Sequence, residues 1–136
     1  MKVLVDTNIF VDWLSERIPF AENSEKVILK CTEGEVQGYL AVHTFLDLNY
    51  ILRKQFTLSE KREVFMMLCK TFTVIAENQQ MLESVFKNEA YSDLEDGLQI
   101  VCAAEKGVDC IVTRNKKDFT ATSIKVLLPE EFLEVI

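Results

Sequence analysis

The first eight residues constrain the fold more than any other stretch of the chain. Val3-Leu4-Val5 is a short, wholly apolar run that ends at the polar tripeptide Asp6-Thr7-Asn8. Runs of this kind are typical of strands that are buried on both faces of a parallel sheet. At the carboxyl end of such a strand, Asp6 has two interpretations. It caps the helix that follows, or it faces a ligand at the edge of the sheet.

The order of the segments predicts the fold class. Apolar runs and amphipathic segments follow one another as β-α-α-β-α-α-β-α-α-β-β-α along 136 residues, with no internal repeat and no dividing linker. Strands that alternate with helices favour a parallel sheet covered on both faces. We therefore expect a single domain over residues 1–136. Its fold class is α/β, a three-layer α/β/α arrangement with a central, mostly parallel sheet of four to five strands.

Composition narrows the class of protein. The chain is 49% apolar and 27% charged, as soluble globular proteins are. No apolar run approaches the roughly 20 residues of a membrane span. The N-terminus lacks a basic segment followed by an apolar one, so we expect a cytoplasmic protein with no membrane contact. The four cysteines have no metal-type spacing and lie among apolar neighbours, which predicts reduced core thiols; they are Cys31, Cys69, Cys102 and Cys110.

The net charge of −7 argues against simple electrostatic binding to nucleic acid. Divalent cations held by the acids would instead make the local field attractive to phosphate. Several polar residues fall where a parallel sheet would bring them to one edge: Asp6, Asp47, Asp93, Asp96, Asn115 and Asp118. Carboxylates without basic partners need a cation, and oxygen ligands suit Mg²⁺ or Mn²⁺. Such ions activate water for attack at phosphorus.

Most of these acids also have a purely structural interpretation. Asp47 could face solvent on an amphipathic helix, although it lies within an apolar pattern. Asp93 has an acid three residues later, which resembles a helix cap, and we favour capping for it. Asp118 could be an ordinary turn residue. We expect His43 to be a hydrogen-bonded residue at a helix start rather than a ligand.

Three segments, taken in order and spacing, resemble the PIN domain proteins. They are Val3-Leu4-Val5-Asp6-Thr7-Asn8, Asp93-Leu94-Glu95-Asp96-Gly97-Leu98-Gln99 and Ile111-Val112-Thr113-Arg114-Asn115-Lys116-Lys117-Asp118-Phe119. The resemblance extends from residue 1 to about residue 130. It is strongest to compact prokaryotic members, which include the VapC-type toxin ribonucleases of toxin–antitoxin pairs.

The resemblance implies a Mg²⁺- or Mn²⁺-dependent endoribonuclease with an RNA substrate, a cognate antitoxin and a homodimeric state. The implied catalytic and metal-binding acids are Asp6, Asp47, Asp96 and Asp118. Asp47 falls where the family usually has Glu, and Asn115 falls where many members have Asp, so Asp118 is expected to supply the fourth acid. The supporting polar residues are Asn8, Asp93, Thr113 and Asn115. The basic residues beside these acids are candidates for contacts with flanking phosphates: Arg114, Lys116 and Lys117.

Three other functions are alternatives to this one. A receiver-type phosphoacceptor domain would have an acid pair after the first strand and an Asp after the third, where this chain has Ala76-Glu77-Asn78. A haloacid-dehalogenase-type phosphatase would have Asp in place of Asn8. The two departures at Asp47 and Asn115 leave a third alternative open, a catalytically weak or inactive PIN-fold binding module.

Overall fold

The computed structural model describes residues 1–136, and its centre is a five-stranded sheet. The strands are β1 (Lys2–Val5), β2 (Gln37–Ala41), β3 (Thr73–Ile75), β4 (Cys110–Val112) and β5 (Lys125–Leu127). Their order across the sheet is β3-β2-β1-β4-β5, and every neighbouring pair is parallel. The predicted fold class is confirmed, and the sheet is entirely rather than mostly parallel.

Seven helices cover the sheet: α1 (Thr7–Leu14), α2 (Ala21–Thr32), α3 (Val42–Ile51), α4 (Leu58–Thr71), α5 (Gln79–Lys87), α6 (Leu94–Lys106) and α7 (Pro129–Val135). A single 3₁₀ turn spans Lys116–Asp118. Local sequence fixes several helix ends. Thr57 and Glu60 form a reciprocal capping box at α4, and Gly107 ends α6 at a φ of +58°, where a side chain would be strained. None of the helices has the length and apolar character to cross a membrane.

The central strand explains why the opening run is apolar throughout. Val3 and Val5 pack on one face of the sheet, in a core with residues of α1, α2 and α7. Leu4 points to the other face, where α5 and α6 contribute to a second core. All three side chains are fully buried. Side chains alternate along a strand, so two covered faces require apolar residues at every position.

The cysteine prediction is confirmed at three positions and wrong at the fourth. Cys31, Cys102 and Cys110 are buried free thiols, but Cys69 is exposed. α4 buries Leu68, and the next residue along a helix points about 100° away from it. Cys69 therefore faces solvent although an apolar run, Met66-Met67-Leu68, precedes it.

Candidate active site

Asp6 lies at the carboxyl end of the central strand and receives four hydrogen bonds. Its Oδ1 accepts from the Thr7 N–H and from Gln99 Nε2, both at 2.8 Å. Its Oδ2 accepts from Thr113 Oγ1 at 2.7 Å and from Asn8 Nδ2 at 3.1 Å. Asp6 caps α1 and faces the sheet edge at once, so the two interpretations of this residue describe the same geometry.

Burial is the main influence on the charge of Asp6. Removal from water raises the pKa of this carboxyl, because a buried carboxylate loses its hydration. Hydrogen bonds from Thr113, Thr7 and Gln99 oppose that rise in pKa. The carboxylate is thereby held in one orientation, yet its charge is not neutralised by a bonded base.

A cleft of about 370 Å³ opens beside Asp6 at the carboxyl edge of the sheet. It brings together six of the predicted site residues: Asp6, Asn8, Asp93, Asp96, Asn115 and Asp118. Thr113 is buried beneath the cleft and contacts both Asp6 and Asn8. Three segments distant in sequence therefore converge here, as parallel strand ends require.

The acids of the cleft repel one another. Burial, followed by the negative charges of Asp6, Asp93 and Asp118, raises the pKa of Asp96 to about 7. Asp93 accepts a hydrogen bond from the Asp96 N–H at 2.9 Å, so the capping favoured for Asp93 is confirmed. Uncompensated carboxylates of this kind fit a hard divalent cation, because such ions prefer oxygen ligands.

One basic side chain, Arg17, lines the cleft. Its guanidinium lies 3.8 Å from Oδ1 of Asp12, a fully buried residue of α1. Asp12 also accepts two hydrogen bonds from Arg114, at 2.6 and 3.3 Å. Among the acids that line the cleft, only Glu95 has a basic group close by, with His43 Nε2 at 3.9 Å from its Oε1.

Asp47 is not among the residues that line the cleft. It is half-buried on α3, and its Oδ2 is shielded from solvent without a hydrogen-bond partner. Its nearest potential metal ligands are His43 and Glu95, and the ligand atoms of the three residues lie within 4.8 Å of one another. Burial, followed by the hydrogen bond and charge of Asp47, raises the pKa of Glu95 to about 8. His43 is hydrogen-bonded to Glu77 at the start of α3, as expected.

The three basic candidates differ in the contacts that their side chains already make. Arg114 is bonded to Asp12, and its guanidinium lies 4.3 Å from the centre of the Phe20 ring. Lys116 is paired with Glu131 at 2.8 Å on the surface. Lys117 is exposed and makes no ion pair. Of the three, Lys117 alone has no ion pair to exchange for a new contact.

Sequence reasoning missed four residues around the site: Asp12, Arg17, Glu95 and Gln99. Asp12 and Gln99 carried a signal, since each is a polar residue within an otherwise apolar helical pattern, and both are fully buried. Such residues are buried only with hydrogen-bond partners, which here are Arg114 and Asp6. Glu95 was overlooked because it follows the cap of α6, where acids are common.

The raised pKa values predict that the cation-free protein loses stability as pH rises. Asp6, Glu95 and Asp96 all have higher pKa values when folded, so between about pH 4 and pH 8 the folded state binds more protons than the unfolded state. The stability that this protonation contributes is complete below the unfolded pKa values and is lost as pH rises through the folded ones. Urea unfolding in EDTA should therefore give a lower free energy of unfolding at about pH 8.5 than at about pH 5.5.

The matched variant for this pH effect is Asp96→Asn, which removes one of the repelling charges. Its stability should change less between the two pH values than that of the wild type. Equal stability of the wild-type protein at both pH values would contradict the prediction. Partial exposure of Glu95 and Asp96 keeps the expected difference small.

Comparison with known proteins agrees with this geometry. The PIN domain family model matches residues 2–117. A chain of a toxin–antitoxin complex from Klebsiella pneumoniae is similar, with 25% identity, a TM-score of 0.70, and coverage of 93% of this chain and 97% of that one. A chain of VapBC-1 from nontypeable Haemophilus influenzae is 16% identical with a TM-score of 0.69, and the match covers 96% and 99% of the two chains. No curated protein matches in sequence.

A third solved structure is FitAcB from Neisseria gonorrhoeae, with 17% identity, a TM-score of 0.63, and coverage of 94% and 98% of the two chains. The latter two likenesses, at lower identity, concern the fold. The family model covers most of the chain and includes the strand that ends at Asp6, the start of α6, and β4. The resemblance seen in the sequence is confirmed, and the chain belongs to the PIN domain family.

Proposed function

We propose that this chain is a divalent-cation-dependent endoribonuclease and the toxin of a toxin–antitoxin pair. The observation that carries the proposal is the cleft in which Asp6, Asp96 and Asp118 face one another without a bonded base. Membership of the PIN domain family and the likeness to a chain of a toxin–antitoxin complex support the same function.

In this proposal Asp6, Asp96 and Asp118 hold the cation, which is Mg²⁺ or Mn²⁺. When bound, such a cation supplies Lewis-acid stabilisation of phosphorane charge and a nucleophilic water at neutral pH. Asn8, Thr113 and Gln99 fix the orientation of Asp6 through the hydrogen bonds described above. Hydrogen-bond donors of this kind hold a metal-binding residue in place, and loss of the donors typically lowers metal affinity.

The substrate phosphate needs a basic partner near the acids. Arg17 lines the cleft and is half exposed, with 49% of its side chain accessible, so we assign it the contact with a substrate phosphate. Lys117 lies farther along the same edge and contacts a flanking phosphate. Asn115 lines the cleft as a neutral donor or ligand.

Removal of the cation tests the proposed function. A fluorescent RNA should be cleaved in Mg²⁺ or Mn²⁺ and left intact in EDTA, with activity restored by excess metal. Because a ligand that binds only the folded state stabilises it, Mn²⁺ should also raise the melting temperature of the wild type. Asp96→Asn should abolish that thermal shift.

Arg17→Ala is the matched variant for this experiment. It keeps all the acids, so the Mn²⁺ shift should remain while RNA cleavage falls. A Mn²⁺ shift in the wild type without any RNA cleavage would favour the binding module over the enzyme. Absence of both the shift and cleavage would refute the proposal.

The exposed face of α3 bears on the partners. Val42, Leu46 and Tyr50 recur at intervals of four residues and are 41%, 72% and 65% exposed. Residues at this spacing form one stripe on a helix. We propose that this stripe joins two copies in a homodimer, with the antitoxin as a separate partner.

Substitution within the stripe tests the dimer. Leu46→Glu should convert a dimer to a monomer in analytical ultracentrifugation, because the introduced charge would be buried at the interface without a partner. Lys54→Glu, which adds a carboxylate beyond the end of α3, provides the control and should remain dimeric. A monomeric wild type would refute the homodimer.

A further inference from the structure

His43 is held in a defined orientation at the start of α3. Its Nδ1 lies 3.0 Å from both carboxylate oxygens of Glu77, and the backbone N–H of His43 donates to the same carboxylate at 2.6 Å. The Glu77 side chain is only 9% exposed. A carboxylate accepts hydrogen bonds, so Nδ1 carries a proton, and Nε2 is the ring nitrogen left to bind a metal.

The Nε2 atom has no hydrogen-bond partner in the protein. His43 Nε2 is shielded from solvent and makes no hydrogen bond, and the same is true of Asp47 Oδ2. Nε2 lies 3.9 Å from Oε1 of Glu95. Buried polar atoms are almost always bonded, so His43 Nε2 and Asp47 Oδ2 are two atoms with a position left open for a bound cation.

The backbone explains why these side chains meet. His43 and Asp47 are separated by one helical turn, which places them on the same face of α3. Glu95 comes from the first turn of α6 and approaches that face. The ligand atoms of the three residues all lie within 4.8 Å of one another. Donors on one tetrahedral Zn²⁺ lie about 3.4 Å apart, given bonds of about 2.1 Å, so small side-chain rotations close the difference.

The donor set differs in kind from that of the cleft. Imidazole nitrogen favours transition metals such as Zn²⁺, whereas Mg²⁺ prefers oxygen ligands alone. A histidine that binds a metal typically donates its other N–H to a carboxylate, as His43 does to Glu77. Three protein ligands with a fourth position open is a common arrangement for Zn²⁺.

We propose that His43, Asp47 and Glu95 form a second cation site that binds a transition metal of the Zn²⁺ type and discriminates against Mg²⁺. Glu77 is the positioning residue of this site. The metal would join α3 to the start of α6 beside the cleft, whose lining includes Glu95. Binding at this site does not depend on RNA cleavage, so it stands or falls separately from the nuclease function.

Titration with Zn²⁺ in excess Mg²⁺ tests this site. The exposed thiol would compete for Zn²⁺, so all variants carry Cys69→Ser. One equivalent of Zn²⁺ should bind to the full chain by calorimetry. His43→Gln and Glu95→Gln should each weaken this binding by at least about 10-fold, and Glu77→Gln by about 10–100-fold. Asp118→Asn, which alters the cleft, should leave it unchanged.

The chain contains one histidine, so its imidazole nitrogens give a single set of NMR signals. In the metal-free protein these signals should identify the tautomer protonated at Nδ1, and Zn²⁺ should shift the Nε2 resonance. Binding that survives both His43→Gln and Glu95→Gln would overturn the proposal. So would an unchanged Nε2 resonance. Glu95 is half-exposed, with 48% of its side chain accessible, so Glu95→Gln remains informative if His43→Gln fails to fold.

Discussion

Replacing Asp6 by asparagine is expected to abolish RNA cleavage while the chain stays folded. The substitution removes one negative charge from the cleft and leaves an amide where four donors now meet a carboxylate. Loss of an outer contact to a metal ligand costs about 10–100-fold, so loss of the ligand itself should lower the cleavage rate by more than about 100-fold. Initial rates on a labelled RNA measure this effect.

The loss of activity in Asp6→Asn should occur with little change in the free energy of unfolding. Burial raises the pKa of its carboxyl, so removal of the charge also removes a desolvation penalty, and the free energy of unfolding should not fall greatly. Asp109→Asn is the matched control. Asp109 is exposed at the opposite end of the sheet and accepts a hydrogen bond from the Lys2 N–H at 2.7 Å, which an asparagine oxygen can also accept. Cleavage that continues at the wild-type rate in purified Asp6→Asn would refute the assigned mechanism.

Asp12→Ala should produce the largest loss of stability among substitutions near the site. Asp12 is fully buried and bonded to Arg114, whose side chain is 28% exposed. Removing one partner of a buried ion pair leaves the other charge without compensation, at a cost of about 3 kcal/mol. The contact joins α1 to the turn that carries Asn115 and Asp118, so the cleft should lose order as well. Urea unfolding measures the change.

Two comparisons isolate the buried pair. Lys116→Ala removes an exposed pair in the same turn and should cost less than about 1 kcal/mol. The double variant Asp12→Ala/Arg114→Met removes both charges and should recover part of the stability lost in Asp12→Ala. A loss in Asp12→Ala no larger than that in Lys116→Ala would show that the buried pair does not support the turn.

The fold was predictable because local and tertiary signals agree. Buried parallel strands are apolar at every position, which made β1 and β4 visible as short runs. Thr57 caps α4, Asn78 caps α5 and Gly107 ends α6, and residues of these types at helix ends can be recognised in a sequence. The convergence of Asp6, Asp96 and Asp118 followed from the parallel order of the strands, since carboxyl ends then share one edge.

The residues that surround Asp47 could not be predicted from the sequence in the same way. The sequence places Asp47 one turn into α3, but it does not indicate which helix packs against that face. α6 brings Glu95 there, and the loop after β3 brings Glu77 to His43. These are contacts between elements distant in sequence, and periodicity within one helix carries no information about them. The prediction for Arg114 was incomplete for the same reason, because its partner Asp12 belongs to α1.

The position of β1 at the middle of the sheet has a consequence for biosynthesis. β1 is synthesised before its neighbour β4, which begins more than a hundred residues later, at Cys110. Asp6 gains Thr113 and Asp118 only after more than a hundred further residues have been made. Pairings this distant along the chain form late, after the intervening segments have collapsed. A nascent chain that has not yet reached β4 therefore lacks the assembled cleft.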